Sequence, residues 1–136
     1  MKRIAVFGKP GGGKSTLGRK LAQAKGLELF PLDLMVYRAD GTKVSNEEYA
    51  AAHRAILDRD GWIIEGLGTL ESFWQRLESA DTLIYVDLPA SRLYLFSYRD
   101  GTPEATADYY VSIGRNGSGK QRKGDRKTPV GIYHIT

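Results

Sequence analysis

The chain has 136 residues, 41% of them hydrophobic and 26% charged, with no cysteine and a formal charge of +4. This is the composition of a globular chain of one ordinary domain, or one small domain with an appendage. It excludes full disorder, a disulfide framework, a thiolate metal site and a cysteine nucleophile. Residues 1–90 carry twelve basic and twelve acidic side chains, whereas residues 91–136 carry eight and four, with five of the eight tyrosines. The net basicity therefore belongs to the last third, which marks two segments of different character, 1–90 and 91–136. No apolar run approaches the roughly 20 residues of a membrane span. The basic start, Met1-Lys2-Arg3, precedes an apolar run too short for a secretion signal, so a cytoplasmic location is expected.

In chain order, Ile4 to Phe7 reads as a buried strand closed by a glycine-rich loop, Gly8 to Gly13. Lys14 to Lys25 reads as a helix with Leu17, Leu21 and Ala24 on one face, ended by Gly26. Leu27 to Phe30 is a second strand, running into Pro31-Leu32-Asp33, and residues 38–44 are loop-like. Ser45 with Glu48 forms a capping box ahead of a helix carrying Tyr49, Ala52, His53, Ile56 and Leu57, with Gly61 as its stop. Trp62 to Ile64 is a third strand leading into Glu65-Gly66. Leu70, Phe73, Trp74 and Leu77 mark a short helix, and Thr82 to Val86 is a fourth strand stopped by Pro89. Such alternation predicts an α/β fold, a parallel sheet flanked by helices. Beyond it, Leu93 to Tyr98 and Ala107 to Ile113 read as an antiparallel hairpin with a somewhat long loop. Residues 114–129 read as a basic loop, and Val130 to Ile135 as a last strand. The C-terminal part is thus an antiparallel, β-rich extension.

Gly8-Lys9-Pro10-Gly11-Gly12-Gly13-Lys14-Ser15 fits G-x-x-x-x-G-K-[ST] at every fixed position, between an apolar strand and an amphipathic helix. A polyphosphate needs many donors at close range. The glycines let backbone N–H groups turn inward, and the helix adds its positive end. Gly8, Gly11, Gly12, Gly13, Lys14, Ser15 and Thr16 are the candidate nucleotide contacts, with Lys14 reaching the β- and γ-phosphates and Ser15 ligating Mg²⁺. Gly114 to Lys120 repeats the spacing, but Gln121 replaces the hydroxyl residue and no helical pattern follows, so it reads as a basic loop. A carboxylate must help hold the metal. Asp33, Glu65 and Asp87 all stand at strand ends, where open α/β sheets bind ligands; Glu65 is favoured, Asp33 could orient an acceptor, and Asp87 ranks last. His53, Phe73 and Trp74 read as packing residues. Arg38 and Lys43 either bind an acceptor phosphate or are solvated.

The stretches KRIAVFGKPGGGKSTLGRKLA, PLDLM, EEYAAAHRAILDRDGWIIEG and SADTLIYVDLP, in this order, resemble the adenylate-kinase-like P-loop kinases, in particular the bacterial DNA topology modulation group. The resemblance implies a P-loop NTPase-type fold, ATP with Mg²⁺, and phosphoryl transfer to a small acceptor, with Lys14, Asp33 and Glu65 in catalytic roles and Ser15 and Glu65 as metal ligands. That family continues into an arginine-rich lid, further helices and another parallel strand. Nothing after Pro89 resembles them, and Leu67-Gly68 stand where an arginine sometimes follows the third-strand glycine. Nucleotide binding survives such losses better than turnover.

From about Ser91, the runs RLYLF, DYYVSIG and GDRKTPVGIY resemble the opening of an L,D-transpeptidase catalytic domain. In that family a cysteine of a later motif is the nucleophile. Neither motif nor cysteine is in this sequence, and His134 is no substitute, so transpeptidase activity is not expected. The alternative function is a chimeric fragment binding cell wall or another polyanion through Arg115, Lys120, Arg122, Lys123, Arg126 and Lys127, which face only Asp125 in charge balance. Nucleic acid is a weaker partner expectation, and no membrane association is expected.

Overall fold

The computed structural model describes residues 1–9, 13–87 and 92–110. Among them ten elements follow one another: β1 (Arg3–Gly8), α1 (Lys14–Lys25), β2 (Leu29–Pro31), α2 (Asp33–Val36), α3 (Asn46–Leu57), β3 (Trp62–Glu65), α4 (Leu70–Ser79), β4 (Thr82–Asp87), β5 (Arg92–Arg99) and β6 (Thr102–Tyr110). The six strands form one sheet in the order β2-β3-β1-β4-β5-β6. The first four are mutually parallel, and β5 and β6 are antiparallel additions.

Strand alternation sorts the core into two layers. Ile4, Val6, Ile63, Ile84 and Val86 face α1, where Leu17 and Leu21 pack on them. Ala5, Trp62, Ile64 and Leu83 face the other way, toward Tyr49, Ile56 and Leu77 of α3 and α4. Each fully buried Ile or Val of this kind contributes roughly 1.5–3 kcal/mol relative to exposure. The hairpin joins the same two layers, with Leu93 and Leu95 on the α1 side and Phe96 and Tyr98 on the other. The Tyr98 hydroxyl donates to the Leu77 carbonyl of α4, and Tyr94 stacks on Tyr85, its partner across the β4–β5 ladder.

Helix ends follow the sequence cues. Gly26 caps α1 at φ +66° and donates its N–H to the Ala22 carbonyl. Ser45 caps α3, its Oγ accepting from the Glu48 N–H at 3.2 Å. The reciprocal half of the capping box does not form, because the Glu48 carboxylate pairs with Arg38 at 2.7 Å. Ser45→Ala is expected to cost about 1 kcal/mol, read as a lower urea midpoint at unchanged slope.

Three expectations are corrected. The hairpin loop is a tight Asp100-Gly101 turn, not a long one. Both residues have positive φ, +50° and +77°, and β6 starts at Thr102. Pro103 fits within this strand, pairing with Tyr98 on the outer side of β5. Asp33 does not end β2 but opens the short helix α2, which the sequence reading lacks. Trp74 is not core: it is 56% exposed, although its neighbour Phe73 packs edge-on against Phe7 at 5.4 Å. The basic loop at 114–129, the strand at 130–135 and His134 lie outside the described residues. No helix of the described residues is long and apolar enough to cross a membrane.

Candidate functional site

The carboxyl ends of β1, β2 and β3 open onto a cleft of about 380 Å³. Gly8, Lys14, Asp33, Lys43 and Glu65 line it, together with the β3–α4 loop, residues 66–69. The sheet order explains the gathering: β3 lies between β1 and β2, so the residues that follow each strand converge.

Gly8 leaves β1 at φ +143°, and Gly13 enters α1 at φ +72°, both backbone states that suit glycine. Gly11 and Gly12 lie outside the described residues. Lys14 is buried, and its Nζ donates to the Lys9 carbonyl at 2.5 Å. Ser15 Oγ donates to Glu65 Oε2 at 3.1 Å, although the two residues are fifty positions apart. Glu65 itself is buried, and its backbone is held on both sides: Leu32 N–H donates to its carbonyl at 2.9 Å, and the next N–H, that of Gly66, donates to Val6 at 3.0 Å. The donor set, one hydroxyl and one carboxylate, fits Mg²⁺, which prefers oxygen and keeps water or phosphate for its other positions. Among the described residues no group of three or more His, Cys, Asp or Glu side chains could hold a metal alone.

Asp33 is exposed, and it reaches the same cleft from the start of α2. Lys43 lines the wall as well, whereas Arg38 is engaged by Glu48 and does not line it. Thr16 is set into α1 and accepts from Arg19 at 3.4 Å. Asp87 ends β4 opposite Arg92 and is not among the cleft residues.

The reading from sequence missed Arg76. This α4 residue is 1% exposed, donates to the Gly66 and Leu67 carbonyls at 2.9 and 2.8 Å, and lies 3.2 Å from His53 Nε2. Ser72, Arg76 and Ala80, at a spacing of four, are all buried, a stripe that the apolar pattern of this segment does not announce. Burial, and then the Arg76 charge, lowers the His53 pKa to about 4. Burial likewise lowers that of Arg76, against the favourable effect of the Tyr49 hydroxyl.

Comparison with known proteins gives two sets of likenesses. The chain is similar to curated shikimate kinases: 28% identical over 102 residues to that of Mycobacterium bovis, covering 65% of this chain and 58% of the relative. The corresponding figures for Rhodococcus jostii are 31% over 99 residues, 63% and 59%. The chain therefore spans about 58% of the length of these relatives. Among solved structures, a sugar kinase from Janibacter aligns with a TM-score of 0.43 at 17% identity, covering 64% of this chain and 60% of that one. A gluconokinase from Sinorhizobium meliloti aligns at 0.41 and 18%, covering 62% and 55%. Residues 81–136 match the family model of the L,D-transpeptidase catalytic domain, a match that begins just before β4 rather than near Ser91.

Proposed function

We propose that the chain binds ATP with Mg²⁺ and is a phosphotransferase of the small-molecule kinase type. The observation that carries this reading is the 3.1 Å contact between Ser15 and Glu65, in the cleft that Lys14 and Asp33 share. In this reading Gly8, Gly11, Gly12, Gly13 and Thr16 frame the phosphates, and Lys14 swings from the Lys9 carbonyl to the β- and γ-oxygens. Ser15 and Glu65 would hold Mg²⁺, which when bound would neutralise charge on the phosphates. Asp33 accepts a hydrogen bond from the acceptor hydroxyl and aims its oxygen at the γ-phosphorus. The new O–P bond forms as the bond to the β–γ bridging oxygen breaks, and the hydroxyl proton passes toward Asp33. The shikimate kinase relatives support a small hydroxylated acceptor. The finer placement among adenylate-kinase-like proteins rests on the quoted sequence stretches, and a cytoplasmic location follows from the use of ATP.

Turnover is expected to be slow, since the described residues bring no arginine to the cleft to stabilise charge on the phosphoryl group. A second reading, a wall- or polyanion-binding chimeric segment in 91–136, has the transpeptidase match behind it.

Calorimetric titration of ATP with Mg²⁺ tests the first reading. The parent is expected to give a saturable heat, and Lys14→Ala to bind at least about tenfold more weakly, a loss of roughly 1.4 kcal/mol or more. Negligible heats for both proteins would sink it.

A further inference from the structure

Arg76 is a cation in a place where charge is costly. It is 1% exposed, and it forms no ion pair among the described residues. A buried guanidinium without a counter-ion must be compensated by well-aimed dipoles. Here its Nη2 donates to two successive carbonyls, Gly66 at 2.9 Å and Leu67 at 2.8 Å. Its Nη1 lies 3.2 Å from His53 Nε2.

The orientation of those carbonyls has a consequence on the opposite side of the loop. In a trans peptide the C=O of one residue and the N–H of the next point in opposite directions, and no described peptide bond is cis. With the Gly66 and Leu67 oxygens drawn inward to Arg76, the N–H groups of Leu67 and Gly68 turn away from it. Leu67 and Gly68 are among the residues that line the cleft. No described residue accepts a hydrogen bond from either N–H. The turn needs φ of +116° at Gly66 and +65° at Gly68, and at Gly68 a Cβ would stand 2.1 Å from the Tyr49 hydroxyl oxygen. Two adjacent N–H groups pointing one way form a concave anion site.

We infer that Arg76 is a positioning residue that holds the Leu67 and Gly68 N–H groups toward the cleft, where they receive an oxyanion of the acceptor or of the transferred phosphoryl group. The inference rests on the reading of this cleft as a phosphoryl-transfer site, and it adds the β3–α4 loop to that site. The interior arginine itself touches no ligand.

Amide-resolved titration of the ¹⁵N-labelled full chain with inorganic phosphate, and separately with acetate, tests this. In the parent, the Leu67 and Gly68 resonances are expected to move saturably. In Arg76→Met, of similar length and without charge, the spectrum stays dispersed while the response of these two amides weakens at least tenfold. Arg76→Lys, which can reach one carbonyl but not hold both in a fork, recovers part of it. If the Met variant does not fold, the Lys variant decides by the same reduced response. A response to acetate as well as phosphate assigns the loop to an acceptor carboxylate; a response to phosphate alone assigns it to the phosphoryl group. Both support the inference. It is overturned if these amides respond to neither anion in the parent, or respond equally in the folded variants. The amides of Gly13, Lys14 and Ser15 report separately. If they stay still while Leu67 and Gly68 move, the phosphate-loop reading fails and the role of Arg76 stands.

Discussion

Gly8→Ala is expected to destabilise the chain by at least about 3 kcal/mol, among the larger single-residue effects a fold can show. Two costs combine. Gly8 has φ +143°, a region that L-residues other than glycine rarely enter, with strain of order 1–3 kcal/mol. A Cβ there would also lie 2.3 Å from the Val86 carbonyl oxygen and 3.1 Å from its carbon. Both obstacles are backbone, and Val86 is fixed from two sides, by Gly8 in the β1–β4 ladder and by Leu93 in the β4–β5 ladder. Relief would require the centre of the sheet to part. Gly13→Ala is the matched comparison: φ is +72°, but nothing lies within 4 Å of the added carbon. It should cost only the strain, about 1–2 kcal/mol. Urea unfolding of the two variants measures the gap. Equal losses would show that the Val86 backbone yields.

Acidification is expected to remove up to about 3 kcal/mol of stability between pH 6.5 and pH 4, through His53 alone. The imidazole is wholly buried, and its pKa falls from 6.5 to about 4, first through loss of solvent and second through Arg76. Arg76 can only donate, so the neutral ring accepts at Nε2 and carries its proton on Nδ1, which has no partner. Protonation would set an N–H against the guanidinium beneath the stacked Tyr49 ring. Above pH 6.5 the folded and unfolded chains hold the same neutral histidine, and the stability is fully present. Below it the unfolded chain takes up a proton that the folded chain refuses, so stability drops as pH falls toward 4. Melting curves at pH 7 and pH 4.5 should show this loss in the parent. In His53→Gln, which keeps an acceptor for Arg76, this component should be missing; an identical loss in both would place the effect elsewhere.

The parts of this molecule legible from sequence are those specified by near neighbours. The glycine after α1, the serine before α3 and the lysine-serine pair entering α1 each act within one turn, and the local reading located those helix ends. The carboxylate at the end of β3 was legible too, because strand ends converge whatever the loops do. What escaped reading depends on distant partners. In α4 the apolar residues Leu70, Phe73, Trp74 and Leu77 suggested one inward face. The helix instead buries Ser72 and Arg76 and leaves Leu70 72% and Trp74 56% exposed. Its rotation is set by the carbonyls of the preceding loop and by Tyr49, 23 positions before Ser72, whose hydroxyls meet at 2.9 Å. Periodicity carries no trace of such hydrogen bonds. The hairpin was legible, but the length of its loop was not, for another reason. Asp100-Gly101 is a strong two-residue turn signal, but the proline that follows it, Pro103, argues locally for a longer loop. A proline is compatible with a strand whose outer side needs no donor.

The antiparallel hairpin also changes which side chains face the outer limit of the sheet. Without it, β4 would present an unpaired flank carrying Leu83, Ile84, Tyr85 and Val86, a run prone to recruit strands from other molecules. Main-chain pairing with β5 satisfies that flank along its whole length, from Thr82 to Asp87. The outermost described strand then becomes β6, with exposed Glu104 and Asp108 and a proline that cannot donate. The hairpin thereby acquires a protective role. The ribbon β5–β6 shields the apolar border of the parallel strands and replaces it with one that discourages intermolecular growth.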